Sequence, residues 1–146
     1  LFLAARAQHV KDVILPAMEA GKWVLCDRFF DATLAYQGYG RGLDISLIKY
    51  LHDFAANCLK PALTILLDLP VEIGLRRAGD RIARIQSDAL EDRFERETLA
   101  FHQKIRDGYL ALAGEDYPRY RIIDSSLDIR TIHREVCETL AAIIDG

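Results

Sequence analysis

The chain has 146 residues, 51% of them hydrophobic and 28% charged, which suits one globular domain with a sizeable core. Its net charge of −3 argues against coating nucleic acid or a membrane surface, because both tasks want a basic excess. Cys26, Cys58 and Cys137 are odd in number, with no CxxC or Cys/His ligand spacing; this suggests neither a disulfide framework nor a zinc site and fits a reducing, cytoplasmic setting.

The opening LFLAARAQHVKDVIL is apolar but broken by Arg6, His9 and Lys11, so it is neither a signal-peptide core nor a membrane span. Val10, Val13, Ile14, Ala17 and Met18 recur at helical spacing before Gly21, predicting a helix over residues 1–20 with a glycine stop. The chain begins at Leu1, already inside that pattern, and reads as the C-terminal part of something longer. KWVLCDR, residues 22–28, is a short continuous apolar run, the signature of a strand buried on both faces. After a loop, Leu47, Ile48, Leu51, Phe54 and Ala55 mark a second helix with Asp44 or Ser46 as cap.

LTILLDL, residues 63–69, is a second doubly buried strand. Pro70 and Glu72 open a short helix that dissolves into an arginine-dense stretch. Leu90, Phe94, Phe101, Ile105 and Leu112 outline a long helix ending at Gly114. RYRIID, residues 119–124, predicts a third strand, and Asp128 caps a final helix through Ile129, Ile132, Val136, Leu140 and Ile143. Strands alternating with helices argue for an α/β fold with a parallel sheet covered on both faces. Ligands of such sheets sit beyond the carboxyl ends of the strands, which draws Asp27, Arg28, Asp68 and Asp124 onto one rim.

Asp27 closes an apolar strand, as does the magnesium-side acid of P-loop proteins. Its neighbour Arg28 offers a planar fork suited to phosphate. The two are equally readable as a structural ion pair. Phe2 and Arg6, four apart on one helix face, suit an aromatic base by stacking and hydrogen bonding; a core ring beside a snorkelling arginine reads the same way. Tyr36 and Gln37 lie in a polar loop that fixes no role by itself. Arg76, Arg77, Arg81 and Arg84 surround Gly79 and Asp80, either a lid that brings positive charge to phosphate or a solvated charge run.

LFLAARAQH, CDRFFDATLAYQGYGRG, LTILLDLPVEIGLRRA and DRFERE follow one another as in bacterial thymidylate kinases. The chain resembles that family over nearly its whole length, and the DR(F/Y)-to-AYQG segment is the specific part. The resemblance implies a P-loop nucleoside-monophosphate-kinase-like three-layer fold, usually a homodimer, that transfers the γ-phosphoryl group of ATP to dTMP with Mg²⁺. Residues 1–146 would form part of one domain, with a lid over about residues 76–92. By motif position Phe2 stacks on thymine, Arg6 bonds its carbonyl edge and Arg28 binds the dTMP phosphate. Asp27 organises magnesium, Thr33 lies near the base, and Tyr36 and Gln37 close on the sugar. Arg77 and Arg81 are lid arginines, Phe94 and Glu95 face substrate, and IDSSLD flanks adenine. Departures are Ala32 where serine is common, Ala62 where aspartate is common, and a longer lid between Gly74 and Arg93.

No G-x-x-x-x-G-K-[ST] occurs in the chain. The resemblance implies that this loop and the first two strands lie upstream, the first strand falling between residues 22–28 and 63–69. The expectation is that this chain alone binds ATP phosphates poorly and is inactive, while the whole protein is the kinase. Two other readings stay open: another nucleoside or nucleotide kinase, and a kinase-dead module kept for dimerisation or partner binding.

Overall fold

A computed structural model describes residues 2–85 and 98–144, the side chains of Phe2 and residues 81–85 excepted. The chain divides into two compact units, Leu1–Pro61 and Ala62–Gly146.

In the first unit, helix α1 (Phe2–His9) runs through a π-helical turn, Val10–Ile14, into α2 (Leu15–Glu19). The Leu15 N–H reaches back five residues to the Val10 carbonyl, just before Pro16, which has no N–H to give. The predicted stop is present. Gly21 takes φ +69°, its N–H donates to the Met18 carbonyl at 2.9 Å, and the Lys22 N–H donates to Ala17 at 3.0 Å. This is the Schellman closure, in which the left-handed residue is ordinarily glycine.

Residues 22–28 correct the first strand expectation. They form no strand, Asp27 and Arg28 sit in a bend, and all seven are exposed; Leu25 is 99% exposed and Trp23 72%. A strand buried on both faces needs a hydrogen-bonded neighbour, and the described residues of this unit contain no other strand. Apolar content alone does not make the ladder. The chain then enters α3 (Phe30–Thr33), a π-helical segment Leu34–Gly40, and α4 (Ile45–Ala55). Asp44 caps α4, its Oδ1 accepting from the Ser46 and Leu47 N–H groups at 2.8 and 3.1 Å. Val10, Ile14 and Ala56 form a core cluster under Leu15, Phe29 and Leu59. Ile48 and His52 are the buried residues of α4, whereas Leu47, Tyr50, Leu51 and Phe54 lie exposed.

The second unit is α/β. Strands β1 (Thr64–Asp68) and β2 (Tyr120–Asp124) pair in parallel, with Thr64 opposite Tyr120 and Asp68 opposite Asp124. With one ladder neighbour among the described residues, β1 is half-buried and Leu67 is exposed, so the doubly buried expectation is also corrected. Helix α5 (Val71–Ile85) continues through Gly79 and Asp80, where the sequence predicts dissolution. One glycine costs a helix about 1 kcal/mol against alanine, less than the flanking helix formers recover. Helix α6 (Leu99–Glu115) starts at a Thr98 cap; its expected beginning at Leu90 and Phe94 lies outside the described residues. Helix α7 (Ile129–Ile144) follows Asp128, whose Oδ1 accepts from the Arg130 and Thr131 N–H groups. The third predicted strand and both aspartate caps are therefore present.

Candidate active site

The first unit gathers the N-terminal arginine and the loop after residue 28. Arg6, in the second turn of α1, is half-buried. Its Nη2 donates to Thr33 Oγ1 at 2.8 Å and to the Phe29 carbonyl at 3.3 Å, and its guanidinium lies 5.5 Å from the Phe29 ring centroid. Nη1 is buried with no hydrogen-bond partner among the described residues. Burial lowers the Arg6 pKa, with Cys26 and Asp31 acting in the opposite direction; the group nonetheless stays a cation, as guanidinium does in proteins. The result is a fixed planar cation with one buried donor unmatched. Such a donor is costly unless something accepts from it. Phe2 sits one turn earlier on α1, at the spacing that shares a helix face.

Arg28 lies in the bend that leads into α3. Its φ is +62°, a left-handed conformation that costs a non-glycine residue about 1–2 kcal/mol. Both Asp27 and Arg28 are exposed, and the Arg28 guanidinium lies 5.6 Å from the Tyr36 ring centroid. Tyr36 and Gln37, expected in a polar loop, lie instead in the π-helical segment Leu34–Gly40, whose end is closed by backbone bonds: Arg41 N–H to Tyr36 at 3.1 Å, Leu43 N–H to Gln37 at 3.0 Å, and Gly42 N–H to Gly38 at 2.8 Å. Arg6 with Thr33, and Arg28 with Tyr36, are thus pairs within one unit. Asp27 is a single carboxylate. Among the described residues no three His, Cys, Asp or Glu side chains cluster as a metal site, and no helix is long and apolar enough to cross a membrane.

In the second unit the rim residues are occupied. Arg106 on α6 meets Asp68 in a two-pronged ion pair, Nε to Oδ1 at 2.7 Å and Nη2 to Oδ2 at 2.8 Å. That bond holds the Asp68 carboxyl below its usual range, against a smaller opposing effect of burial. Asp124 accepts from the Ser126 N–H at 2.8 Å. Arg77 on α5 donates through Nη1 to the Ser125 carbonyl at 2.8 Å, so it grips the IDSSLD loop. Arg81 lies on the same helix one turn later, known by its backbone. Phe94 and Glu95 lie outside the described residues.

Sequence reasoning missed Arg106 and His52. Arg106 stands 38 residues from its partner, with no periodic signal to link the two. His52 did carry one: it follows the core residue Ile48 by four positions, on the same helix face.

The family model for thymidylate kinase matches residues 1–136. A thymidylate kinase of Syntrophus aciditrophicus (strain SB) is 57% identical over 140 residues, covering 96% of this chain and 64% of that protein. One of Geotalea uraniireducens (strain Rf4) is 53% identical over 147 residues, covering 100% of this chain and 68% of that protein. The crystal structure of thymidylate kinase from Ehrlichia chaffeensis superposes with a TM-score of 0.70 at 32% identity, over 95% of this chain and 60% of that one. The chain thus spans about two thirds, or somewhat less, of the lengths it matches. The two parallel strands among its described residues, with their flanking helices, agree with the P-loop nucleoside-monophosphate-kinase fold. With a family match running from its first residue through most of its length, the chain belongs to the thymidylate kinase family.

Proposed function

We propose that the whole protein transfers the γ-phosphoryl group of ATP to dTMP, giving dTDP and ADP. The observation that carries this reading is Arg6, held by Thr33 and Phe29 with Nη1 buried and unmatched among the described residues. A pyrimidine carbonyl is a planar acceptor that would satisfy that donor, and Phe2, one turn away, would supply a stacking face. Arg28 would take the dTMP phosphate, whose oxygen attacks the γ-phosphorus as the bond to ADP breaks. Tyr36, beneath the Arg28 guanidinium, would bound the sugar with Gln37.

A magnesium ion fits Asp27, because Mg²⁺ typically takes one or two carboxylates and fills its remaining positions with water and substrate phosphate. Bound there, it would neutralise charge on the transferring phosphate. Residues 76–92 are assigned as the lid and Arg77 and Arg81 as its phosphate-directed arginines on motif position; residues 86–92 lie outside the described residues. For Arg77 that role means releasing the Ser125 carbonyl. Phe94 and Glu95 are assigned to the substrate side on motif position. A homodimer is favoured by the exposed apolar stripe of Leu47, Tyr50, Leu51 and Phe54 on α4, and the family setting favours the cytoplasm.

The test is ADP formation by the whole protein with ATP and Mg²⁺, offered dTMP, dUMP, dCMP or thymidine. Turnover fastest with dTMP is the expected result. No dTMP-dependent ADP, or a preference for thymidine, overturns the reading.

A further inference from the structure

His52 is the buried titratable group that none of the roles above uses. It is 1% exposed. Its ring stacks on Phe30 at 4.3 Å between centroids and 11° between planes, and meets Phe29 edge-on at 5.6 Å and 89°. Nε2 lies 3.3 Å from the Leu59 carbonyl. A carbonyl only accepts, so Nε2 carries the proton and Nδ1 is the bare nitrogen, buried with no hydrogen-bond partner among the described residues. Burial lowers the imidazole pKa, and the Arg6 charge works in the same direction, while the Leu59 carbonyl, Asp53 and Asp31 oppose them. The ring is therefore neutral at pH 7, a flat apolar plate pinned at one edge.

The plate bears on the group that holds Arg6. Phe29 contacts His52 and lies under the Arg6 guanidinium, and its carbonyl accepts from Arg6 Nη2. Phe30, stacked on His52, begins the helix that ends in Thr33, the other Arg6 acceptor. Both acceptors that aim Arg6 are thus tied to one imidazole. We propose that His52 is a positioning residue for nucleoside-monophosphate recognition, acting through Phe29 and Phe30 to fix the direction of the Arg6 guanidinium.

The inference rests on the reading of Arg6 as the base-binding group, and the test separates the two. KM for dTMP, KM for ATP, kcat and melting temperature are measured on the whole protein, wild type and three variants. His52→Leu removes the ring and keeps an apolar filling; Phe30→Leu removes the same stack from its other side; His52→Phe keeps a ring and loses the Nε2–H donor. The loss of one aromatic pair predicts a dTMP KM raised about three- to tenfold in His52→Leu and in Phe30→Leu. KM for ATP and kcat stay within about twofold, and His52→Phe recovers most of the dTMP KM. A lowered melting temperature with dTMP KM unchanged, in whichever leucine variant folds, overturns the inference and leaves the kinase reading intact. So does an equal rise in both KM values. A wild type without dTMP-dependent turnover defeats the kinase reading first, and this inference with it.

Discussion

Thr33→Val is the sharpest probe of the Arg6 geometry. It removes one oxygen, Oγ1, that accepts from Arg6 Nη2 at 2.8 Å, and leaves the longer 3.3 Å bond to the Phe29 carbonyl. A hydrogen bond to a charged group contributes about 1.5–3 kcal/mol. Because Arg6 is only half-buried, water recovers part of that, and the lower end, about 1.5 kcal/mol, applies. The guanidinium already carries a buried Nη1 without a hydrogen-bond partner among the described residues, so the variant leaves it held by the single longer bond to Phe29. If that guanidinium reads the pyrimidine, the loss falls on dTMP binding, a rise in KM of roughly tenfold. KM for ATP should not move, and kcat should change little, since binding rather than the transition state is weakened. The assay is steady-state kinetics of the whole protein with each substrate varied in turn, alongside urea unfolding. A dTMP KM within about twofold of wild type would refute the argument, as would parallel rises for both substrates.

Three further outcomes follow from the same contacts. Arg28→Gly relieves the φ +62° backbone and should unfold no more easily than wild type, within about 1 kcal/mol, yet lose dTMP phosphate binding; a clear fall in urea midpoint would show that the left-handed turn carries no strain. Asp68→Asn should cost about 1–2 kcal/mol at pH 7 by breaking the two-pronged Arg106 bond, whose exposure trims the figure. The Asp68 pKa is lowered in the fold, so the wild type keeps this stabilisation above the ordinary carboxylate range and loses it as pH falls through the folded value. Urea curves for wild type and Asp68→Asn should therefore converge in acid, and a constant gap down to pH 2 would contradict the assignment. Leu51→Asp, on the exposed stripe of α4, should leave the fold intact and shift a dimer to monomer in sedimentation velocity; an unchanged mass would remove α4 from the interface.

The legible parts of the fold are those whose causes are local. Asp44 and Asp128 cap helices because a carboxylate two or three residues ahead of free N–H groups needs nothing distant. Gly21 ends its helix because a left-handed residue lets its own N–H and that of Lys22 turn back onto Met18 and Ala17. The Phe2–Arg6 spacing is likewise visible in the chain, being one helical turn. By contrast, KWVLCDR holds every local sign of a buried strand except a neighbour, and a neighbour is a property of the whole sheet. The links from Arg6 to Thr33, Asp68 to Arg106 and Arg77 to Ser125 span 27, 38 and 48 residues, where no periodicity reaches. The family motifs pick out Arg6 and Thr33 as separate residues; the bond between them is visible only in three dimensions.

The Asp-Arg step after residue 26 has a physical account that does not need a sheet. Residues 22–28 are all exposed, whereas Phe30 and Asp31 are buried. The chain passes from solvent to core within two residues, and the left-handed Arg28 is the bend that permits it. Asp27 and Arg28 stay outside, exposed to solvent, while Phe29 turns inward against the cluster of Val10, Ile14 and Ala56. Here the position of the two charged groups is set by the anchoring of Phe29 and Phe30, and that anchoring runs through His52 and Arg6. Weakening the aromatic anchor should therefore disturb phosphate and base recognition together, although His52 and Phe30 are buried behind the groups that would touch the nucleotide.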